Sequence, residues 1–301
     1  MVEFIYYKMW PLRTNIIYES MKIFAYTPDG NNIRPSFGNN LFIYFALQII
    51  IKEHGHIIVD NYSELENPIT VDHLMWYNYA INMSENSRVI IDLLKRRDVY
   101  MHAFFQDSRT LLYYRDYLKS LINPENHNII TPPTEKFTVK ISDIANTTIS
   151  DIPGTNNIIV HFRLSDFKHA GGKSSEIIHP SVYFEILDAI SYDTMILVCD
   201  KITEPFEEIY INLFKQRYNN VEVRCGNKFL EDFVYITKAS RIVVSNSTFC
   251  WLAAFLSNAN ETYIIKNEYH PTQYMEKINS NSKVYPIRYI SPEELLIINR
   301  V

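Results

Sequence analysis

The chain has 301 residues, of which 47% are hydrophobic and 21% charged, with only 7 glycines. This composition excludes intrinsic disorder and glycine-rich low-complexity structure, and the length calls for two domains or one large α/β unit. The formal net charge of -5 lacks the basic excess of a nucleic-acid binder, so no nucleic-acid partner is expected.

In chain order, Met21 to Tyr26 reads as a short buried strand, and the turn-rich stretch Thr27 to Asn40 follows it. Leu41 to Glu53 has apolar residues at helical spacing, and His56 to Asp60 reads as a second strand. Met75 to Ile122 is read as mostly helical, with Leu93, Leu94, Leu111, Leu112 and Leu118 as its core. Pro124 to Ala145 is irregular, which places a domain boundary near residue 150: residues 1–150 form one domain and 151–301 a second.

The second half alternates regularly. Strands are expected at Asn157 to Phe162, Met195 to Cys199, Val221 to Arg224, Arg241 to Val244 and Thr262 to Ile265. Helices are expected at Ser181 to Ile190, Pro205 to Tyr218, Leu230 to Lys238 and Phe249 to Leu256. Nearly continuous apolar strands between amphipathic helices indicate a parallel sheet covered on both faces. Ligands of such sheets bind at the carboxyl ends of the strands, which directs attention to His161, Arg163, Asp200, Ser245 and Asn246.

The three cysteines, Cys199, Cys225 and Cys250, form neither a disulfide framework nor a zinc-ligand spacing, and they fit a reducing compartment. No stretch reaches the roughly 18 apolar residues of a membrane-spanning helix, and Met1 to Asn15 lacks the pattern of a signal peptide. The expectation is a cytoplasmic protein without a transmembrane segment. Peripheral membrane contact and oligomeric state stay open.

Three junctions carry chemistry. In His161-Phe162-Arg163-Leu164-Ser165-Asp166, strand alternation puts His161 and Arg163 on one face, and a guanidinium at a strand's carboxyl end suits a phosphate. A strand-end ion pair between Arg163 and Asp166 is the plain alternative. Ser245-Asn246-Ser247-Thr248-Phe249 opens an apolar helix after a buried strand. Its amides and hydroxyls can cradle an anion, while helix capping alone needs fewer such residues. Phe37-Gly38-Asn39-Asn40 sits between the first strand and the first helix. There is no G-x-G-x-x-G, no P-loop, no D-x-D pair and no metal-ligand spacing, so no cofactor and no metal are expected.

Together these blocks resemble the α-1,2-fucosyltransferase family within the wider fucosyltransferase clan. Phe37 to Tyr44 (FGNNLFIY) is similar to the family's G-x-G-N-Q-[LM]-F-x-Y, and HFRLSD to its H-x-R-R-x-D. Asp232 to Leu256 (DFVYITKASRIVVSNSTFCWLAAFL) resembles its long third block. The chain departs from the pattern at Leu164, at Asn40 and at Cys250-Trp251-Leu252.

The resemblance implies two Rossmann-like domains in the B-type glycosyltransferase arrangement, with the acceptor on the first half and the nucleotide on the second. It implies a metal-independent inverting transferase that moves fucose from GDP-fucose to a glycan hydroxyl. Two readings stand beside it: the same fold with another nucleotide-sugar donor, and a sugar-binding protein without turnover. By the same resemblance Arg163, Asn39 and Asp166 are catalytic candidates. His161, Arg163, Asp232, Ser245, Asn246, Ser247, Thr248, Phe249, Phe37 and Gly38 are donor-binding candidates, with His161 and Asp232 near the base.

Overall fold

The computed structural model describes residues 22–25, 37–58, 66, 68–71, 97–101, 108–122, 141–164, 177–266 and 277–298. Two parallel sheets organise them. In the first half, β1 (Lys22–Ala25), β2 (Ile57–Ile58), β3 (Ile69–Val71) and β4 (Val99–Met101) pair in the order β2-β1-β4-β3. β4 corrects the sequence reading, which placed these residues in a helical stretch. It is an inner strand with Val99 and Met101 fully buried, and three residues are too few for periodicity to separate a strand from a helix. Leu93 and Leu94 of that stretch lie outside the described residues.

The first long helix, α1 (Phe37–His54), starts four residues earlier than its apolar spacing predicts. Phe37 to Asn40 are its first turn rather than a loop. Asn39 and Asn40 are common turn residues, but here packing decides, because α1 is buried from Asn40 to Ile50 on all sides. A helix that is apolar all round must be enclosed. Short α2 (Ser108–Tyr113) and α3 (Arg115–Leu121) bring Leu111 and Leu118 into the core as expected, with Leu112 packed against it. A further turn of helix, α4 (Ile141–Asn146), ends the stretch read as irregular.

The second sheet has six parallel strands, and its inner ones match the sequence reading to within a residue or two. They are β5 (Ile158–His161), β7 (Met195–Cys199), β8 (Val221–Cys225), β9 (Arg241–Val244), β10 (Glu261–Lys266) and the shorter β11 (Lys283–Pro286). A two-residue strand, β6 (Ile177–Ile178), pairs instead with β12 (Tyr289–Ile290). The order β11-β10-β9-β5-β7-β8 means that the chain first winds outward from β5, then returns to β9 on its other side. This is the doubly wound, Rossmann-like order, and β5 and β9 flank its topological switch point. The connecting helices are α5 (Pro180–Leu187), α6 (Pro205–Arg217), α7 (Phe229–Thr237) and α8 (Thr248–Leu256), followed by α9 (Pro292–Ile298).

Alternation along the strands divides the core in two. Ile159, Ile196, Val198, Ile242 and Val244 face α1, α7 and α8, whereas Ile158, Val160, Leu197 and Val243 face α5, α6 and α9. The first of these layers joins both halves of the chain: Phe42 of α1 stacks on Trp251 of α8 at 5.7 Å, and Trp251 on Phe255 at 5.3 Å. Arg115 of α3 caps the far end of α8, donating from Nε to the Phe255 carbonyl (2.8 Å) and from Nη2 to that of Ser257 (2.9 Å). Lys119 adds a bond to the same Ser257 oxygen at 2.9 Å. Cations at a helix C-terminus complement its dipole, so α8 is fixed from the first half while its N-terminus points to the switch point. Among the described residues no helix is long and apolar enough to cross a membrane.

Candidate functional site

β5 ends at His161, and Arg163 follows two residues later; β9 ends at Val244 and passes through Ser245 to Ser247 into α8. These two chain segments form one wall of a cleft at the carboxyl ends of the strands. The cleft, of about 170 Å³, is lined by Phe37, Gly38, His161, Arg163, Val198, Cys199, Asp200, Asn227, Phe229, Asp232, Ser247, Thr248 and Phe249. Ligand pockets commonly enclose about 300–1,000 Å³, so a ligand that spans this one protrudes from it. A larger depression of about 600 Å³ lies at the amino ends of β9 and β10, around Arg241, Glu261 and Lys283. It is at the wrong end of the strands for an α/β ligand site, and Arg241 there is already bonded to the Ser191 carbonyl and paired with Glu261.

His161 is held from both sides. Its Nδ1 lies 2.7 Å from Ser245 Oγ, its carbonyl accepts from the Tyr183 hydroxyl at 3.2 Å, and its ring lies 5.8 Å from that of Phe249. Ser245 therefore stands behind the site and orients the imidazole across the switch point. Asn246 turns away from the cleft and donates to Tyr289 Oη at 3.4 Å. Cys250, one turn into α8, is fully buried, and burial pushes its thiol up to about 12. It is core.

Capping alone does not account for this helix start. Ser247 occupies the N-cap position, yet its side chain makes no bond to the amides of α8. The first internal bond of the helix runs from the Trp251 amide to the Ser247 carbonyl at 2.9 Å. The amides of Thr248, Phe249 and Cys250 precede it, and the first N–H groups of an α-helix have no intrahelical acceptor.

The start of α1 is pressed onto the same turn. A Cβ at Gly38 would lie 2.5 Å from Thr248 Oγ1 and 2.7 Å from the Phe249 amide nitrogen, so only glycine permits this approach. Two helix N-termini thus converge, each equivalent to roughly half a positive charge. Neither carries an acidic residue in its first turn, as is also the case for α2 and α5, whereas α6, α7 and α9 do. Arg163 lies in the same cleft, and the carboxylates of its lining, Asp200 and Asp232, come from outside α1 and α8.

The α7 side of the cleft lining has different chemistry. Asp232, 7% exposed, accepts from Arg224 Nε at 2.8 Å and from Asn227 Nδ2 at 3.1 Å, both at Oδ1. The Arg224 guanidinium also stacks on the Tyr235 ring at 4.2 Å. Burial raises the carboxyl pKa above its ordinary value, and the Arg224 and Asn227 bonds oppose that rise. Phe37 touches both helices, α7 and α8: its ring lies 5.2 Å from Phe229, 4.9 Å from Phe233 and 5.8 Å from Phe249.

The structure thus brings Phe37, Gly38, His161, Arg163, Asp232, Ser247, Thr248 and Phe249 together in one cleft, with Asp200 beside them. Asn39 lies in the first turn of α1, outside the cleft lining. Asp166 lies outside the described residues. Sequence reasoning missed Asn227 and Phe229. The only signal for them is a polar residue and an aromatic one at the strand-to-helix junction after β8, the same kind of junction that was read at the other strand ends. Among the described residues no group of three or more His, Cys, Asp or Glu gathers as a metal site. No family model matches this sequence, and no curated protein or solved structure matches it either.

Proposed function

We propose that the cleft binds the nucleoside diphosphate of a sugar nucleotide and that the chain is an inverting, metal-independent glycosyltransferase, with GDP-fucose as donor and a glycan hydroxyl as acceptor. The reading rests on one observation above the others. Two helix starts without first-turn carboxylates converge beside Arg163 at the switch point of a Rossmann-like sheet. The resemblance of the three sequence blocks to fucosyltransferases supports the donor sugar. The four-stranded parallel sheet, whose α1 reaches the cleft, supports a B-type arrangement of two Rossmann-like domains divided near residue 150.

In this reading the acceptor oxygen bonds to the anomeric carbon as the bond from that carbon to the diphosphate breaks. The electron pair departs with the diphosphate, whose negative charge grows in the transition state, and the acceptor hydroxyl loses its proton to water. Fixed dipoles aimed at developing charge are the most effective electrostatic catalysts. The α8 amides and the Arg163 fork supply them, and Asp232 and His161 face the base. Asp200 stands beside Asp232 at the end of β7.

The test is release of GDP from GDP-fucose, measured together with melting temperature, in wild type and Arg163→Ala. Loss of one such contact costs about a hundred- to a thousandfold in rate, with a folded mutant. Turnover at the wild-type rate in folded Arg163→Ala would contradict the reading, and would suit the strand-end pairing of Arg163 instead.

A further inference from the structure

Phe229 is the one aromatic side chain of the cleft lining that is largely exposed, at 54%. Single exposed apolar residues are ordinary on protein surfaces, but this one is not isolated. Its ring is packed at 5.2 Å against Phe37, which itself touches Phe233 and Phe249, so the exposed ring has a rigid aromatic backing. It is the first residue of α7, and Asp232 is the fourth. Residues three apart lie on one face of a helix.

A flat ring and a carboxylate therefore share one face of α7 within the cleft lining. Asp232 keeps both of its described bonds on one oxygen, Oδ1, through Arg224 and Asn227. Both partners hold the carboxylate from that one oxygen. A planar heterocycle laid on the Phe229 face would present its edge to Asp232. Such an arrangement separates two kinds of recognition: area and π-stacking from the ring, hydrogen-bond pattern from the carboxylate.

We propose that Phe229 is the stacking platform for the nucleobase of the donor and makes the site prefer a purine over a smaller pyrimidine. This rests on the nucleotide-sugar reading of the cleft and adds to it a residue and a source of base selectivity. Its ring supplies binding energy and touches no reacting atom. Stacking of a base on an aromatic residue is worth about 1–3 kcal/mol, or about five- to a hundredfold in affinity.

The experiment is calorimetric titration of GDP, UDP and inorganic pyrophosphate into wild type, Phe229→Leu and Phe229→Tyr, with melting temperatures measured alongside. The exposed position lets both variants fold. The platform predicts that Phe229→Leu binds GDP about five- to a hundredfold more weakly, Phe229→Tyr binds it as wild type does, and pyrophosphate affinity is the same in all three. The GDP-over-UDP ratio narrows in Phe229→Leu. If GDP binds wild type and Phe229→Leu equally, the platform is wrong while the diphosphate cradle stands. If pyrophosphate also weakens in Phe229→Leu, the residue acts through the shape of the cleft and the platform is equally overturned. If wild type binds neither GDP nor pyrophosphate, the nucleotide-sugar reading falls and the platform with it.

Discussion

Gly38 and Thr248 meet so closely that a Cβ on the glycine would lie 2.5 Å from the threonine Oγ1 and 2.8 Å from its carbonyl carbon. They are the second residue of α1 and the first of α8, from opposite halves of the chain. The contact sets how far apart the two helix starts stand.

Gly38→Ala is therefore expected to damage structure and binding together. The threonine hydroxyl can rotate away, but the Phe249 amide at 2.7 Å is backbone and cannot. Overpacking of this kind costs about 1–3 kcal/mol. Thermal denaturation should show the lost stability, and GDP titration should show a weaker site in the folded remainder. An unchanged melting temperature with unchanged affinity would mean that the two helix starts are not fixed by this contact.

Chelation tests the source of the positive charge. If Arg163 and the α8 amides meet the diphosphate, GDP release from GDP-fucose should proceed at the same rate in EDTA as without it. Loss of turnover in EDTA, restored by manganese, would move that role to a divalent ion. The Arg163 variant would then be of secondary importance.

Asp232 gives a pH dependence with two opposite signs. Burial holds its carboxyl above the ordinary value of 3.8 in the folded chain, so the folded state keeps its proton more readily than the unfolded state. Its contribution to stability is therefore present below 3.8 and lost as pH rises through the raised folded value. Binding runs the other way, because only the carboxylate accepts two hydrogen bonds from a base edge. GDP affinity should fall as pH drops from neutrality toward about pH 4, and Asp232→Asn should weaken binding at neutral pH and flatten that slope. A wild-type affinity independent of pH over this range would remove Asp232 from the base site.

Much of the second half is legible in the sequence because its strands and helices alternate with clear punctuation. Met195 to Cys199 and Arg241 to Val244 are apolar runs bounded by polar residues, and both are strands as read. The first half is less legible. Phe37 to Asn40 looks like a turn, since Gly and Asn favour turns, and only contact with α8 shows that Gly38 is there for close approach inside a helix. β4 is too short to declare itself. Strand ends point to His161 and Ser245, but sequence cannot say that Ser245 bonds to the His161 ring. Phe229 is missed for a related reason: an aromatic residue at a helix start is ordinarily core, and its exposure is visible only in three dimensions.

The central claim is that the cleft at the switch point holds a guanosine diphosphate group, with its base at Asp232 and its diphosphate at the α8 amides. Parallel calorimetric titrations of the intact chain with GDP and UDP test it most directly, since both nucleotides carry the same diphosphate and differ only in the base. The account predicts that GDP binds and that UDP binds at least about tenfold more weakly, because uracil offers Asp232 no equivalent pair of N–H donors and covers less of Phe229; one lost charge-assisted hydrogen bond is worth about 1.5–3 kcal/mol. Equal affinity for the two nucleotides, or heat from neither, would contradict it.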